Sequence, residues 1–366
     1  MNVKLQGRSV HYRTVTFDRT LNEVRLIEQR LLPHEFKIVG TRTYLETALA
    51  IRDMMVRGAG AIGATAAFGL AQGAQAFRGK NKKQFLGHVE KVFQTLARAR
   101  PTAVDPVNAM LGVRSSMEPG ASVPEMQTLA HVAADHFANH DVADCENIGR
   151  IGEPLIHDQM RVLTHCNAGW LAFVDIGSAT APLYAAHAAG RRIHVFCDET
   201  RPRSQGALLT AWELSQQGVS HSVIADNAAG HFMQRGEIDL VIVGADRVLG
   251  RTGEVTNKIG TYTKAVLAKR HGIPFYVAIP FSTLDWNLAS GLDIPIEERS
   301  QDEVLGAWGV PMNPKETIEK QKGPKTLHAA NRLYVRVANP TSTARNPASE
   351  DGGSACFRIH LIAPAA

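Results

Sequence analysis

From about Asp158 onward the chain alternates short apolar runs with helical ones, and few architectures accept that alternation. The runs Met160 to Thr164, Arg192 to Cys197, His221 to Ile224, Leu240 to Val243 and Phe275 to Ile279 have the length and composition of strands. Between them, Ala181 to Ala189, Gly206 to Gln217 and Lys258 to Arg270 carry helical spacing. Strands joined by crossover helices lie parallel, and a parallel sheet must be covered on both faces, so the pattern predicts a doubly wound α/β sheet. In such sheets ligands sit beyond the carboxyl ends of the strands. The search for chemistry therefore starts there.

The preceding segment reads differently. Apolar residues recur at helical spacing over Thr43 to Met55, Phe85 to Leu96 and Val123 to Asn139, after a stretch of β character around Ser9 to Phe17. A length of 366 residues favours two domains. Residues 1–145 are expected to form a smaller, mainly helical N-terminal domain and residues 146–366 the sheet-bearing one. The end of the chain from about Asn313, rich in Lys, Pro, Asn, Ser and Gly, has weak periodicity and reads partly as loop.

A hydrophobic content of 44% and a charged content of 20% exclude disordered and fibrous classes. The net charge of +5 comes from 40 basic and 35 acidic residues without a basic block, which suits a small anionic substrate better than nucleic acid. The N-terminus lacks an apolar signal core and no apolar stretch is long enough to span a bilayer, so a cytoplasmic protein without a membrane partner is expected. The 4 cysteines show no C-x-x-C spacing and the 15 histidines no H-E-x-x-H, so neither a disulfide framework nor a metal site is indicated.

Cys166 and Asp246 follow two of the strands. Cys166 stands in Thr164-His165-Cys166-Asn167-Ala168-Gly169, and Asp246 follows Leu240 to Val243 in Gly244-Ala245-Asp246-Arg247. A thiol and a carboxylate at strand ends are the raw material of an acid/base pair, and a half-buried Asp246 would have its pKa raised toward neutrality by desolvation. Buried free cysteines are usually inert packing, and an Asp beside an Arg is usually a structural ion pair or cap, so position carries the argument. Cys197, last in its strand before polar residues, reads as a core residue.

Arg57-Gly58-Ala59-Gly60-Ala61-Ile62-Gly63 contains a literal G-x-G-x-x-G. It follows a helical pattern rather than a strand, which argues against dinucleotide binding. Two readings remain equal: a helix N-terminus that holds a phosphate with Arg57, or close packing of helices through small residues. Asp198 to Gly206 packs two acids, two arginines and Gln205 into one strand-end loop, and Asn257 with Lys258 opens a helix as a second phosphate candidate.

Taken together these strings resemble the methylthioribose-1-phosphate isomerase family, part of a larger group that includes the regulatory subunits of the eukaryotic initiation-factor-2B exchange complex. The resemblance runs from about Arg25 to Arg299 through Gln29-Arg30-Leu31-Leu32-Pro33, Arg57-Gly58-Ala59, Arg100-Pro101-Thr102-Ala103-Val104, the Cys166 motif, Asp198 to Leu214, Gly244 to Arg247, Asn257 to Tyr262 and Ile294 to Arg299. It implies a Rossmann-like C-terminal domain that uses no nucleotide, no cofactor, a homodimer and a place in methionine salvage. It also implies catalytic roles for Cys166 and Asp246, and sugar-phosphate binding by Arg57, Gly58, Ala59, Arg100, Gln205, Asn257 and Lys258. Gly60 stands where many members have proline and Asp105 where many have asparagine. After Arg345-Asn346-Pro347-Ala348 the sequence leaves the family pattern.

The implied reaction turns an aldose 1-phosphate into a ketose 1-phosphate. Its anomeric oxygen is blocked by phosphate, so the ring cannot open unaided. Asp246 is expected to protonate the ring oxygen, while Cys166 as thiolate takes the C2 proton or steadies a C2-to-C1 hydride shift. Isomerisation of 5-deoxyribose 1-phosphate or ribose 1,5-bisphosphate, and a non-catalytic regulatory subunit, are the alternatives. Retention of both Cys166 and Asp246 speaks against the last.

Overall fold

The computed structural model describes residues 1–309, except Gln6, Pro101, Thr102 and Glu297, together with the backbone of three later strands. Most of the segment after Asn313, including the end that departs from the family pattern, lies outside the described residues.

The chain opens with a hairpin of β1 (Asn2–Leu5) and β2 (Arg8–His11), then an antiparallel sheet of β3 (Val15–Asp18), β4 (Glu23–Ile27) and β5 (Ile38–Thr41). Five helices follow: α1 (Tyr44–Arg52), α2 (Ala59–Ala76), α3 (Lys82–Ala97), α4 (Asp105–Ser116) and α5 (Val123–Gly152). Thr43 and Glu46 start α1 with a reciprocal capping box, and Asn81 and Ser122 cap α3 and α5 through their side chains. Helix α2 is built of Ala, Gly and other small or apolar residues and is buried almost throughout, so it forms the axis around which the others pack. Helix α3 shows the ordinary stripe, with Phe85, Val89, Val92, Phe93 and Leu96 turned inward. The β content exceeds the expectation for this half, because β4 and β5 pair across the chain without a long apolar run of their own. Helix α5 runs unbroken through residue 145, and its Ile148 packs in the core of the second half.

The second half comprises β6 (Arg161–Thr164), α6 (Ala181–Ala188), β7 (His194–Asp198), a π-helical turn over Gly206–Thr210 leading into α7 (Ala211–Gln217), β8 (Ser220–Ile224), α8 (Ala229–Gln234) and β9 (Leu240–Val243). After β10 (Arg247–Leu249) and β11 (Val255–Asn257) come α9 (Thr261–His271), β12 (Phe275–Ala278), β13 (Leu284–Asp285), α10 (Asp302–Leu305), β14 (Gly306–Gly309), β15 (Lys325–His328), β16 (Ser342–Ala344) and β17 (Ile359–Ile362). A six-stranded sheet in the order β17-β12-β9-β6-β7-β8 forms the centre, every neighbouring pair parallel. All five strands expected from the sequence lie in it.

The pleat explains why these runs contain so little polar matter. Leu163, Val241, Val243 and Val277 face α8 and α9 with Met233, Ala265 and Ala268. Val162, Val195, Leu240 and Ile242 face α6 and α7 with Leu183, Ala186 and Leu214. Neighbouring strand residues thus enter opposite cores, the signature of a sheet covered on both faces. Cys197 lies in the second of these cores, wholly buried, and burial pushes its thiol up, as expected of a packing residue. Among the described residues no helix is long and apolar enough to cross a membrane.

One buried carboxyl ties α5 to the rest. Asp141 accepts a hydrogen bond from the Val174 backbone N–H at 2.7 Å, and a Cβ on Gly60 of α2 would lie 2.1 Å from its Oδ1. Burial pushes this carboxyl up to about 8, against the Val174 hydrogen bond and with help from Asp105, Asp144 and Asp175. A folded-state pKa above the unfolded value means stability that is complete below the usual carboxylate range and is lost as pH rises through about 8. Asp141→Asn removes that titration while keeping the acceptor. Its stability relative to the native chain should rise between pH 5 and pH 8 by on the order of 3 kcal/mol. Urea unfolding at the two pH values measures it; a difference that does not change with pH would show that Asp141 holds no proton.

Candidate active site

The strand order reverses between β6 and β9, which lie side by side while their chain continuations depart in opposite directions. Such a switch point opens a crevice at the carboxyl ends of the two strands. Cys166 emerges there from β6 and Asp246 from β9, and both line one pocket. The two strand ends thus converge on one pocket.

Cys166 is fixed from three sides. Its backbone N–H donates to Thr200 Oγ1 at 2.8 Å, its carbonyl accepts from Thr210 Oγ1 at 2.7 Å, and its Sγ donates to Gln205 Oε1 at 3.2 Å. Its φ of 66° is a left-handed value that a side chain with a Cβ seldom adopts outside an enforced setting. The thiol is thereby turned out of the strand into the pocket, 8% exposed, instead of into the core like Cys197. Asn167 extends the frame: its Oδ1 and carbonyl accept from the Arg57 guanidinium, and its Nδ2 donates to Glu213 Oε1 at 2.8 Å. Glu213, fully buried, also receives the Trp170 and Leu171 backbone N–H groups and the Tyr184 hydroxyl, so the loop behind Cys166 is tied down by one carboxylate.

Asp246 departs from expectation in its environment. It is exposed rather than half-buried, because the turn from β9 into β10 carries it clear of the sheet, its backbone N–H donating to Thr256 O at 2.8 Å. A second carboxyl of this pocket, Asp105 at the start of α4, is buried, and burial pushes it up to about 6. Asp105 was noticed in the sequence only as a substitution, and Arg247, which also lines the pocket and pairs with Asp285 at 3.1 Å, only as a neighbour of Asp246.

The remaining candidates gather on the same pocket. Arg57, Gly58, Ala59, Arg100, Gln205 and Lys258 line it. Asn257 does not: it is buried, and its Nδ2 donates to Thr261 Oγ1 at 3.1 Å near the start of α9. The glycine motif serves both of the readings left open. Gly58 precedes α2 with a φ of 93°, and a Cβ there would lie 2.3 Å from Ala172 Cα, so only glycine brings this N-terminus so close to the loop after Cys166. Gly60 faces Asp141 and belongs to helix packing. Burial lowers the Arg57 pKa, partly offset by the opposing pull of Cys166, Glu213 and Asp246. An arginine so placed stays charged and favours an anion beside it.

A second chamber adjoins the first and shares Met54, Arg57 and Gln205 with it. Leu32, Met54, Pro202, Leu208 and Leu209 give it an apolar wall. Its other two arginines are already matched by acids: Arg30 with Glu28 at 2.6 Å and Arg203 with Glu303 at 2.8 Å. One chamber thus offers cations and amides, the other chiefly hydrocarbon.

Beneath the pocket floor three buried groups meet that sequence reasoning did not connect. His165 Nδ1 lies 2.7 Å and Lys264 Nζ 3.0 Å from the same oxygen, Asp198 Oδ2. His165 and Asp198 flank the recognised loops, whereas Lys264 sits inside a helix with nothing in the local sequence to mark it.

Comparison with known proteins bears on this geometry. The model of the Initiation factor 2 subunit family matches residues 55–342. A methylthioribose-1-phosphate isomerase of Cereibacter sphaeroides is 50% identical over 334 residues, which cover 89% of this chain and 85% of that protein. Among solved structures, the 5-methylthioribose 1-phosphate isomerase of Pyrococcus horikoshii has a TM-score of 0.79 at 40% identity, covering 92% of this chain and 88% of that one. The translation initiation factor eIF-2B, subunit delta, from A. fulgidus has a TM-score of 0.75 at 37% identity, covering 92% of both chains.

Proposed function

The chain belongs to the methylthioribose-1-phosphate isomerase family, within the wider initiation factor 2 subunit family, and on that premise we propose that it isomerises 5-methylthioribose 1-phosphate to 5-methylthioribulose 1-phosphate. The observation that carries this reading is the pair of adjoining chambers. The cationic one, with Arg57, Arg100, Lys258 and the N-terminus of α2, suits the phosphate on C1. The apolar one suits a methylthio group on C5, and its paired arginines leave little attraction for a second phosphate there. That weighs against ribose 1,5-bisphosphate.

The chemistry follows from the blocked anomeric oxygen. Asp246 donates a proton to the ring oxygen as the ring opens. Cys166, held on its left-handed turn with Sγ against Gln205, takes the C2 proton or stabilises the shift of hydrogen from C2 to C1. Asn257 acts at a distance in this scheme, by fixing the turn that presents Lys258. The family resemblance also supports a cytoplasmic homodimer working in methionine salvage on a small sugar phosphate, without cofactor.

Incubation with 5-methylthioribose 1-phosphate, 5-deoxyribose 1-phosphate and ribose 1,5-bisphosphate, followed by a ketose assay, tests the reading. The first should be turned over with the highest kcat/KM, and the bisphosphate should trail it by at least tenfold. A folded protein that forms no ketose from any of them would favour a regulatory subunit.

A further inference from the structure

In the proposed reading Arg57, Arg100 and Lys258 serve the phosphate, but a pentose also presents hydroxyls, and these need acceptors. Arg57, Arg100, Arg247 and Lys258 can only donate. Among the described residues two carboxyls line the pocket, Asp105 and Asp246, and the reaction occupies Asp246 with the ring oxygen. Asp105 is 3% exposed, and its Oδ1 has no hydrogen-bond partner among the described residues. Ser282 supplies its one side-chain hydrogen bond. A buried acceptor left unmatched is costly, and such groups persist where something else supplies the missing donor.

We propose that Asp105 is a substrate-contacting residue, its carboxylate accepting a hydrogen bond from a hydroxyl of the bound pentose. Its surroundings fit that task. Gly63 of α2 leaves room behind it, a Cβ there reaching within 3.5 Å of Asp105 Cβ. Asp246 from the β9–β10 turn faces it with like charge, Arg247 of β10 faces it with opposite charge, Asp141 of α5 keeps its proton below about 8, and Arg100 and Lys258 share the pocket. Burial outweighs the attraction of Arg247 and pushes the carboxyl up to about 6. The hydroxyl acceptor is therefore present above that pH and is protonated away below it. Binding should carry that pH dependence.

This inference rests on the isomerase reading for its ligand, and the experiment separates the two. Equilibrium affinity for 5-methylthioribose 1-phosphate is measured at pH 7.5 and pH 5 in a Cys166→Ala background, where no turnover interferes, with Asp105 intact, Asp105→Asn or Asp105→Ala. The substrate phosphate titrates in the same range for all three proteins, so the readout is the ratio of their affinities. Relative to Asp105→Asn, the protein with Asp105 should lose about tenfold in affinity on going from pH 7.5 to pH 5, one proton's worth. Asp105→Ala should bind at least tenfold more weakly than either at pH 7.5. A ratio independent of pH, or an alanine variant that binds as tightly as the parent while melting at the same temperature, would overturn the assignment. Ketose formation by the protein with Cys166 intact reports on the isomerase reading alone. A pH-dependent ratio without turnover keeps this inference and removes that reading, and turnover with a flat ratio does the reverse.

Discussion

Asp246→Asn should lower kcat on 5-methylthioribose 1-phosphate by about a thousandfold, within the range for loss of a positioned general acid, with KM changed by less than tenfold. The side chain is exposed, and the turn is held by its backbone N–H to Thr256 O, which asparagine keeps. Folding should therefore be indifferent to the change, and melting temperature is the control. Asparagine preserves the shape and most of the polarity of the group but cannot give a proton to a ring oxygen. A fall in kcat and kcat/KM by the same factor would mark an interaction made only in the transition state. A loss below about tenfold would mean that Asp246 merely lines the site and that the proton comes from elsewhere. Asp105 would then be the first group to test, since burial pushes that pocket carboxyl up to about 6.

That contrast shows where sequence reasoning reaches its limit. The four inner strands expected from the sequence, β6, β7, β9 and β12, were legible because a run such as Leu240 to Val243 is buried on both faces, and two-sided burial leaves a continuous apolar word. The places of Cys166 and Asp246 followed, since a strand end is a position in the sequence as much as in space. The environment of a side chain is not. Nothing in Gly244 to Arg247 says that the turn will lift Asp246 clear of the sheet, and nothing in Val104-Asp105-Pro106 says that α4 will begin inside the pocket. The strands β4, β5, β10 and β11 were passed over for a related reason: each is short, and its pairing comes from a partner the local sequence does not announce. Asn257 illustrates the reverse error of proximity. It neighbours Lys258 in sequence, yet its amide turns to Thr261 and away from the pocket.

The largest effect on stability should come from Asp198→Asn. Asp198, His165 and Lys264 are 0%, 1% and 2% exposed, and the carboxylate oxygen Oδ2 serves both of the other two. His165, Asp198 and Asp226 converge closely enough to suggest a metal site, but the Lys264 ammonium already lies among them, 3.0 Å from Asp198 Oδ2 and 2.8 Å from the Asp226 carbonyl. Asparagine leaves that ammonium buried without its counter-charge, a change that typically costs about 3–5 kcal/mol. Exposed pairs offer the contrast: breaking Arg192–Asp158 should leave stability nearly unchanged, because solvent screens the charges. Removing both members, as Asp198→Leu with Lys264→Met, should cost less than the single change, because no unpaired charge remains. Activity should fall along with stability, since the Asp198 carbonyl accepts from Thr200 Oγ1, which in turn receives the Cys166 N–H. Denaturant unfolding of Asp198→Leu, Lys264→Met and the double variant measures the coupling, with Asp198→Asn alongside. If Asp198→Asn costs no more than the exposed pair, water or a shifted side chain must relieve the ammonium. The link from the buried trio to the backbone turn of Cys166 would then lose its energetic basis.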